Sequence, residues 1–274
     1  MTTEKVAFTG VRQTLLATLY GRALDSLADR PVLGDRMAED AVRRIAFDFT
    51  RFRLTPGEAA VVAMRGRQLD EWTRAFLSGH PDAVVAHLGC GLDCRVFRVA
   101  PPAGVQWFDV DYPEVVELRR RLYPGRQGYR LIGCSVTEPG WLPDIPRDRP
   151  ALLVAEGLTM YLTEPAMETL VHRVADHFGA GGEAAFDAVS PLAVRLQRLN
   201  RILRTAGATL TWGLGDPRRP EGWDPRFHLI DEISAVELPW IDRLPFPYRL
   251  ACRVMRLFPP LRRLGVLVRY QFSG

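Results

Sequence analysis

The stretch Val84-Val85-Ala86-His87-Leu88-Gly89-Cys90-Gly91-Leu92-Asp93-Cys94 decides the fold. It opens as a short apolar run, the pattern of a strand buried on both faces. The glycines that follow let the backbone turn and approach a ligand at the strand's carboxyl end. A dinucleotide fingerprint needs a third glycine three residues after the second, but Cys94 stands there, so only G-x-G remains. Taken alone that is a weak signal. It gains weight from Phe108-Asp109-Val110-Asp111, which ends on an acid twenty residues beyond Gly91, where a carboxylate can accept both hydroxyls of a ribose. The alternative is that Asp111 caps a helix beginning at Pro113, and the two roles are compatible.

Outward from this turn, short β-rich runs alternate with helical segments. Ala83 to Leu88, Val105 to Asp111, Tyr129 to Cys134, Ala151 to Ala155 and Glu183 to Val189 read as strands, and Pro113 to Leu122, Glu164 to Phe178 and Pro191 to Arg204 read as helices. That alternation is the sign of a parallel sheet in an α/β fold. Two further strand candidates, Ala235 to Ile241 and Gly265 to Phe272, close the chain, and Gly207 to Pro225, rich in Gly, Pro and Trp, reads as a loop or lid. Before the sheet, residues 11 to 80 are helical. Leu16, Leu19, Tyr20, Ala23 and Leu27 fall on one stripe and Val62, Arg65, Leu69, Trp72 and Phe76 on another.

The composition excludes several classes. With 47% hydrophobic and 25% charged side chains over 274 residues, the chain is neither disordered nor collagenous. Cys90, Cys94, Cys134 and Cys252 are too few and scattered for a disulfide framework, which points to a reducing, cytoplasmic setting. The first ten residues lack the apolar core of a signal peptide, and the longest apolar runs, such as Ala151 to Leu162, fall short of the roughly 20 residues that span a bilayer, so no membrane partner is expected. The net charge is +4, and Lys5 is the only lysine among 36 basic residues. The densest basic run, Arg119 to Arg121, ends a helix, where positive charge suits the macrodipole, so nucleic acid is not expected either. Cys90-x-x-x-Cys94 lacks the further ligands of a tetrahedral metal site, and both residues read as small core thiols. His172 and His177 lie on a polar helix and are expected at the surface.

Two charged residues sit where apolar ones belong. Arg65 occupies the apolar stripe of its helix, and an inward arginine needs an anion, whether a ligand or an internal acid. Glu156 ends the run Leu152-Leu153-Val154-Ala155, at the sheet edge where open α/β folds bind ligands.

Five ordered blocks then carry a resemblance: T-L-L-A-T-L-Y-G-R-A-L-D (14–25), M-R-G-R-Q-L-D (64–70), H-L-G-C-G-L-D-C-R-V-F-R (87–98), F-D-V-D-Y-P-E-V (108–115) and A-E-G-L-T-M-Y-L (155–162). Over nearly its whole length the chain resembles the leucine carboxyl methyltransferase superfamily of S-adenosylmethionine-dependent enzymes, most of all its tetracenomycin-type polyketide O-methyltransferases. The resemblance implies a Rossmann-like class I methyltransferase sheet of about seven mostly parallel strands, the last antiparallel, with helices on both faces. It divides the chain into an N-terminal helical cap, 1–80, and one catalytic domain, 81–274, with a lid-like insertion near 207–225. Arg65 would hold the methionine carboxylate of the cofactor, Gly89 and Gly91 would pass under it, Asp111 would hold the ribose, Ser135 would meet the adenine and Glu156 would face the amino group. Ser135 departs from the acid of the protein-methylating branch, and His87 and Cys90 stand where many members have Asn and Ala.

Methyl transfer from a sulfonium is an in-line displacement governed by positioning, with no metal and no covalent intermediate. A carboxylate acceptor, with a pKa of about 4, needs no general base, whereas a phenol near about 10 does. The expected activity is therefore O-methylation of a small molecule, a polyketide-type carboxylate. A protein C-terminal carboxylate and, from another class, nicotinamide-dependent oxidation are the alternatives. Candidate acceptor contacts are Tyr20, Arg22, Tyr161, Trp212 and Trp223.

Overall fold

A computed structural model describes residues 3–6 and 8–274. Seven strands build one sheet: β1 (Val84–Leu88), β2 (Gln106–Asp111), β3 (Tyr129–Gly133), β4 (Ala151–Ala155), β5 (Gly182–Val189), β6 (Phe227–Ser234) and β7 (Gly265–Phe272). Their spatial order is β3-β2-β1-β4-β5-β7-β6; the first five are parallel, and β7 runs antiparallel between β5 and β6. Because side chains alternate across a strand, Val84, Ala86 and Leu88 enter one core with Phe108, Leu153 and Phe186, while Val85 enters the other with Trp107, Leu152 and Val154. β1 is buried throughout, which is why it reads as an apolar run interrupted only by His87.

Helices α1 (Val11–Ser26), α2 (Arg36–Arg44) and α3 (Pro56–Gly79) precede the sheet. Thr55 and Glu58 form a reciprocal capping box at the start of α3, with Pro56 in its first turn. Asp35 caps α2 through the Ala38 N–H. The apolar stripe of α3, with Met64, Leu69, Trp72 and Phe76, shares one core with Val85, Trp107 and Leu152 of the sheet. A division at residue 80 therefore cuts through a continuous core, and α3 serves as one of the helices covering the sheet. α1 lies across the carboxyl edge, its Leu16, Leu19 and Ala23 packed with Phe49, Phe52 and Leu92.

The order continues with α4 (Arg95–Val99), α5 (Pro113–Leu122), α6 (Glu164–His177), α7 (Pro191–Arg195), α8 (Arg201–Ala206) and α9 (Arg219–Trp223). Several sequence expectations change. Ala235 to Ile241 is not a strand but helical turns, and the partner of β7 is Phe227–Ser234. The expected helix Pro191 to Arg204 is broken, because the Asn200 side chain accepts from the Leu203 N–H and starts α8 afresh. Within segment 207–225, Thr211 and Trp212 N–H donate to the Met160 carbonyl at 2.8 and 3.3 Å, and Leu214 N–H to the Val189 carbonyl at 2.8 Å. Arg119 does not offer a solvated charge to the helix end; it is fully buried and paired with Asp109. His172 and His177 are half-buried, bonded to Asp224 and to the Ile145 carbonyl. Among the described residues no helix is long and apolar enough to cross a membrane.

Candidate active site

The turn after β1 brings the site's first two pieces together. Gly89 and Gly91 adopt φ of 60° and 51°, conformations that residues with a Cβ avoid. A Cβ on Gly89 would stand 2.9 Å from Leu158 Cδ1. Asp111, at the end of the neighbouring strand, accepts from the Gly91 N–H and from the Tyr112 N–H, both at 2.7 Å. The residue capping α5 is Tyr112, without a side-chain cap, so Asp111 belongs to the glycine turn rather than to the helix. A carboxylate offers about four acceptor positions, and two remain for a ligand. Burial raises the Asp111 pKa, with the Gly91 and Tyr112 N–H groups pulling against it.

Glu156, immediately after β4, is the centre of a buried ion network. It receives Arg22 at 2.9 Å, Arg65 at 3.2 Å and Arg95 at 2.5 Å. Asp93 receives Arg22, Arg95 and Arg98 at 3.4, 3.0 and 2.6 Å. Burial pushes both acids up, but the arginines outweigh it: Arg22, Arg65 and Arg95 bring Glu156 to about 2, and Arg22, Arg98 and Arg95 hold Asp93 well below the usual carboxylate range. Removing one member of such a set strands its partners in a low-dielectric interior. Below it, His87 faces Asp109 at 3.2 Å.

Arg65 also reaches Asp187, in β5, at 3.1 Å. The inward arginine thus has internal acids on two of its nitrogens, while its side chain stays 24% exposed and lines a cavity. That cavity, about 350 Å³, runs along the carboxyl edge of the sheet and is bounded by Arg22, Arg65, Gly89, Gly91, Asp111, Ser135 and Glu156, with Tyr161 beyond them. Ser135 Oγ is engaged with Thr137 Oγ1 at 2.8 Å. Past Tyr161 the wall turns apolar, with Val11, Val62, Met160, Leu203 and Leu210. Burial raises the Tyr161 pKa, so its hydroxyl remains a neutral donor.

Three expected acceptor contacts do not line this cavity. Tyr20 packs on Phe49 with ring centroids 5.5 Å apart, and Trp212 and Trp223 pack on each other at 5.8 Å against the core. Arg22 does line it, but as a 4% exposed partner of Glu156 and Asp93. Asp93, Arg95 and Asp187 escaped the sequence reading. Asp187 had a legible signal, an acid inside the apolar run Ala184-Ala185-Phe186-Asp187-Ala188, the same anomaly that exposes Glu156.

This sheet order, with an antiparallel β7, a glycine turn after β1, an acid ending β2 and a cavity across the carboxyl edge, defines a class I, S-adenosylmethionine-dependent methyltransferase. Comparisons narrow the class. Residues 15–124 match the leucine carboxyl methyltransferase family model. The chain is 48% identical to the tetracenomycin polyketide synthesis O-methyltransferase TcmP of Streptomyces glaucescens, over 98% of this chain and 99% of that protein. It is 37% identical to the S-adenosyl-L-methionine-dependent methyltransferase dpfgK of Gibberella zeae, over 79% of this chain and 80% of the other. A crystallised DUF574 family protein from Streptomyces avermitilis shares the fold at a TM-score of 0.57 and 11% identity, over 93% of this chain and 97% of that one. The chain belongs to the leucine carboxyl methyltransferase family, in its tetracenomycin-type O-methyltransferase branch.

Proposed function

We propose that the protein esterifies a carboxylate of a polyketide-type small molecule, with S-adenosylmethionine held along the carboxyl edge of the sheet. The observation that carries the site assignment is the Gly91 N–H bond to Asp111. It joins a turn where only glycine allows close approach to a carboxylate with acceptor positions to spare. The residues fit the cofactor at three points. Gly89 and Gly91 leave the floor without side chains, Asp111 would take the ribose hydroxyls, and Arg65 and Glu156 supply opposite charges for the amino acid's carboxylate and ammonium. Ser135 lies on the wall where the adenine would rest. The cavity of about 350 Å³ lies within the usual range for a cofactor pocket, roughly 300–1,000 Å³.

When bound, the cofactor supplies a methyl group on a positively charged sulfur. This chain's residues orient and exclude. Val11, Val62, Met160, Leu203 and Leu210 form an apolar wall suited to a hydrophobic ring system, and Tyr161 offers a donor to the acceptor's oxygen. A carboxylate acceptor is already ionised at neutral pH, and Tyr161, held neutral by burial, is not asked to remove a proton. Arg22 serves by holding Glu156, and Arg95 does so from the opposite oxygen. The reading includes a cytoplasmic setting, where the four free cysteines stay reduced.

The test is transfer of labelled methyl from S-adenosylmethionine to an aromatic polyketide acid, followed by mild alkali. An ester releases the label as methanol. Label that survives alkali marks an ether, and label accepted only by a protein C-terminal peptide marks the protein-methylating alternative. Either result overturns the proposal.

A further inference from the structure

Asp187 is an acid in the middle of a strand, 4% exposed, with no place in the methyl transfer itself. Its two oxygens are spent on different objects. Oδ2 accepts from Arg65 Nη1 at 3.1 Å, and Oδ1 accepts from the N–H of Gly157 at 2.6 Å. The same residue's carbonyl accepts from the Thr159 hydroxyl at 2.7 Å. Gly157 follows Glu156 directly and has φ of 69°, and a Cβ there would lie 3.7 Å from Arg65 Nη2. One carboxylate therefore ties Arg65, on α3, to the turn that carries Glu156.

The consequence is a choice of edge. A guanidinium has five N–H groups in a rigid fork. Glu156 takes Nε and Asp187 takes Nη1, so among the described residues Nη2 is the nitrogen left for the cavity. Without Asp187 the fork can rotate about the Glu156 bond and present another edge or none.

We propose that Asp187 is a positioning residue for the amino-acid end of the cofactor, fixing which edge of Arg65 faces the cavity and how far it stands from Glu156. This rests on the reading that Arg65 holds the cofactor's carboxylate. Asp187 acts through Arg65 and the Gly157 turn and touches no reacting atom.

The experiment compares two ligands by titration of the full chain: S-adenosylhomocysteine, and 5′-methylthioadenosine, which keeps the nucleoside and sulfur but lacks the amino acid. Asp187→Asn keeps an acceptor for the Gly157 N–H and loses the charge on Arg65. A charge-assisted hydrogen bond corresponds to roughly ten- to a hundredfold in affinity. Asp187→Asn is expected to weaken S-adenosylhomocysteine by about that factor and to leave methylthioadenosine within about threefold. In an Arg65→Ala background the same substitution should add nothing, because its route has been removed. Asp187→Ser, read the same way, serves if the asparagine variant folds poorly. Equal weakening of both ligands marks a merely structural acid and overturns the proposal, as does no effect on either. If Arg65→Ala selectively weakens S-adenosylhomocysteine while both Asp187 variants are silent, Asp187 alone is misassigned. If Arg65→Ala shows no selectivity between the ligands, the underlying reading of Arg65 fails with it.

Discussion

Three glycines of this chain separate backbone strain from crowding. Gly89 has both: φ is 60°, and an added Cβ would lie 2.9 Å from Leu158 Cδ1 and 3.3 Å from Cδ2 and Cγ. Gly157 has strain alone, with φ of 69° and its nearest neighbour, Arg65 Nη2, at an ordinary 3.7 Å. Gly79, the last residue of α3, has nothing within 4 Å and no positive φ. Placing an L-residue in the left-handed region costs about 1–2 kcal/mol, and overpacking a filled site costs about 1–3 kcal/mol more. Gly89→Ala is therefore expected to destabilise by about 2–5 kcal/mol and Gly157→Ala by about 1–2 kcal/mol, whereas Gly79→Ala should gain up to about 1 kcal/mol by restricting the unfolded chain. Urea unfolding with unchanged slopes gives these differences directly. The ranking is the test. If Gly89→Ala costs no more than Gly157→Ala, Leu158 yields freely and the close packing over the turn is not what enforces glycine there; if Gly89→Ala costs less than about 0.5 kcal/mol, the strain argument fails as well.

Other consequences are as specific. If Asp111 holds the ribose as proposed, Asp111→Ala would remove two charge-assisted contacts, worth about 1.5–3 kcal/mol each, so the folded variant should bind S-adenosylhomocysteine about a hundred- to ten-thousandfold more weakly; unchanged affinity would sink the assignment. Glu156 is depressed from 4.5 to about 2, so its stabilisation is fully present above pH 4.5, declines as pH falls and is gone below about 2. Acid unfolding followed by circular dichroism should be shallower across that window in Glu156→Gln, and an unchanged slope contradicts the ion network. Trp223 buries an indole N–H with no partner among the described residues, away from the cavity. Trp223→Phe should leave stability within about 1 kcal/mol and the acceptor KM unchanged, and a raised KM would return the tryptophan to the acceptor site.

The sheet was legible where its strands are buried on both faces. Ala151–Ala155 is an unbroken apolar run for that reason, and Val84–Leu88 is interrupted only by His87. Phe227–Ser234 was not, because it lies at the sheet edge, carries Asp231 and Glu232, and has a register shift between Leu229 and Asp231 that breaks the alternation. The same holds at the site. Arg65 and Glu156 stood out as charges among apolar neighbours, and Asp111 by its distance from Gly91. What local sequence does not carry is pairing over long separations. Arg22 reads in the sequence as a candidate acceptor contact, yet its partner Glu156 is 134 residues away. Trp212 and Trp223 were picked out by the composition of their segment, which is equally that of a strap packed onto the core.

A crystal structure with S-adenosylhomocysteine bound tests the central claim most directly. The ligand is expected along the carboxyl edge of the sheet, its ribose hydroxyls on Asp111, its carboxylate on Arg65 Nη2 and its chain passing over Gly89 and Gly91. A ligand seated elsewhere, or one that leaves Asp111 without contact, contradicts the account.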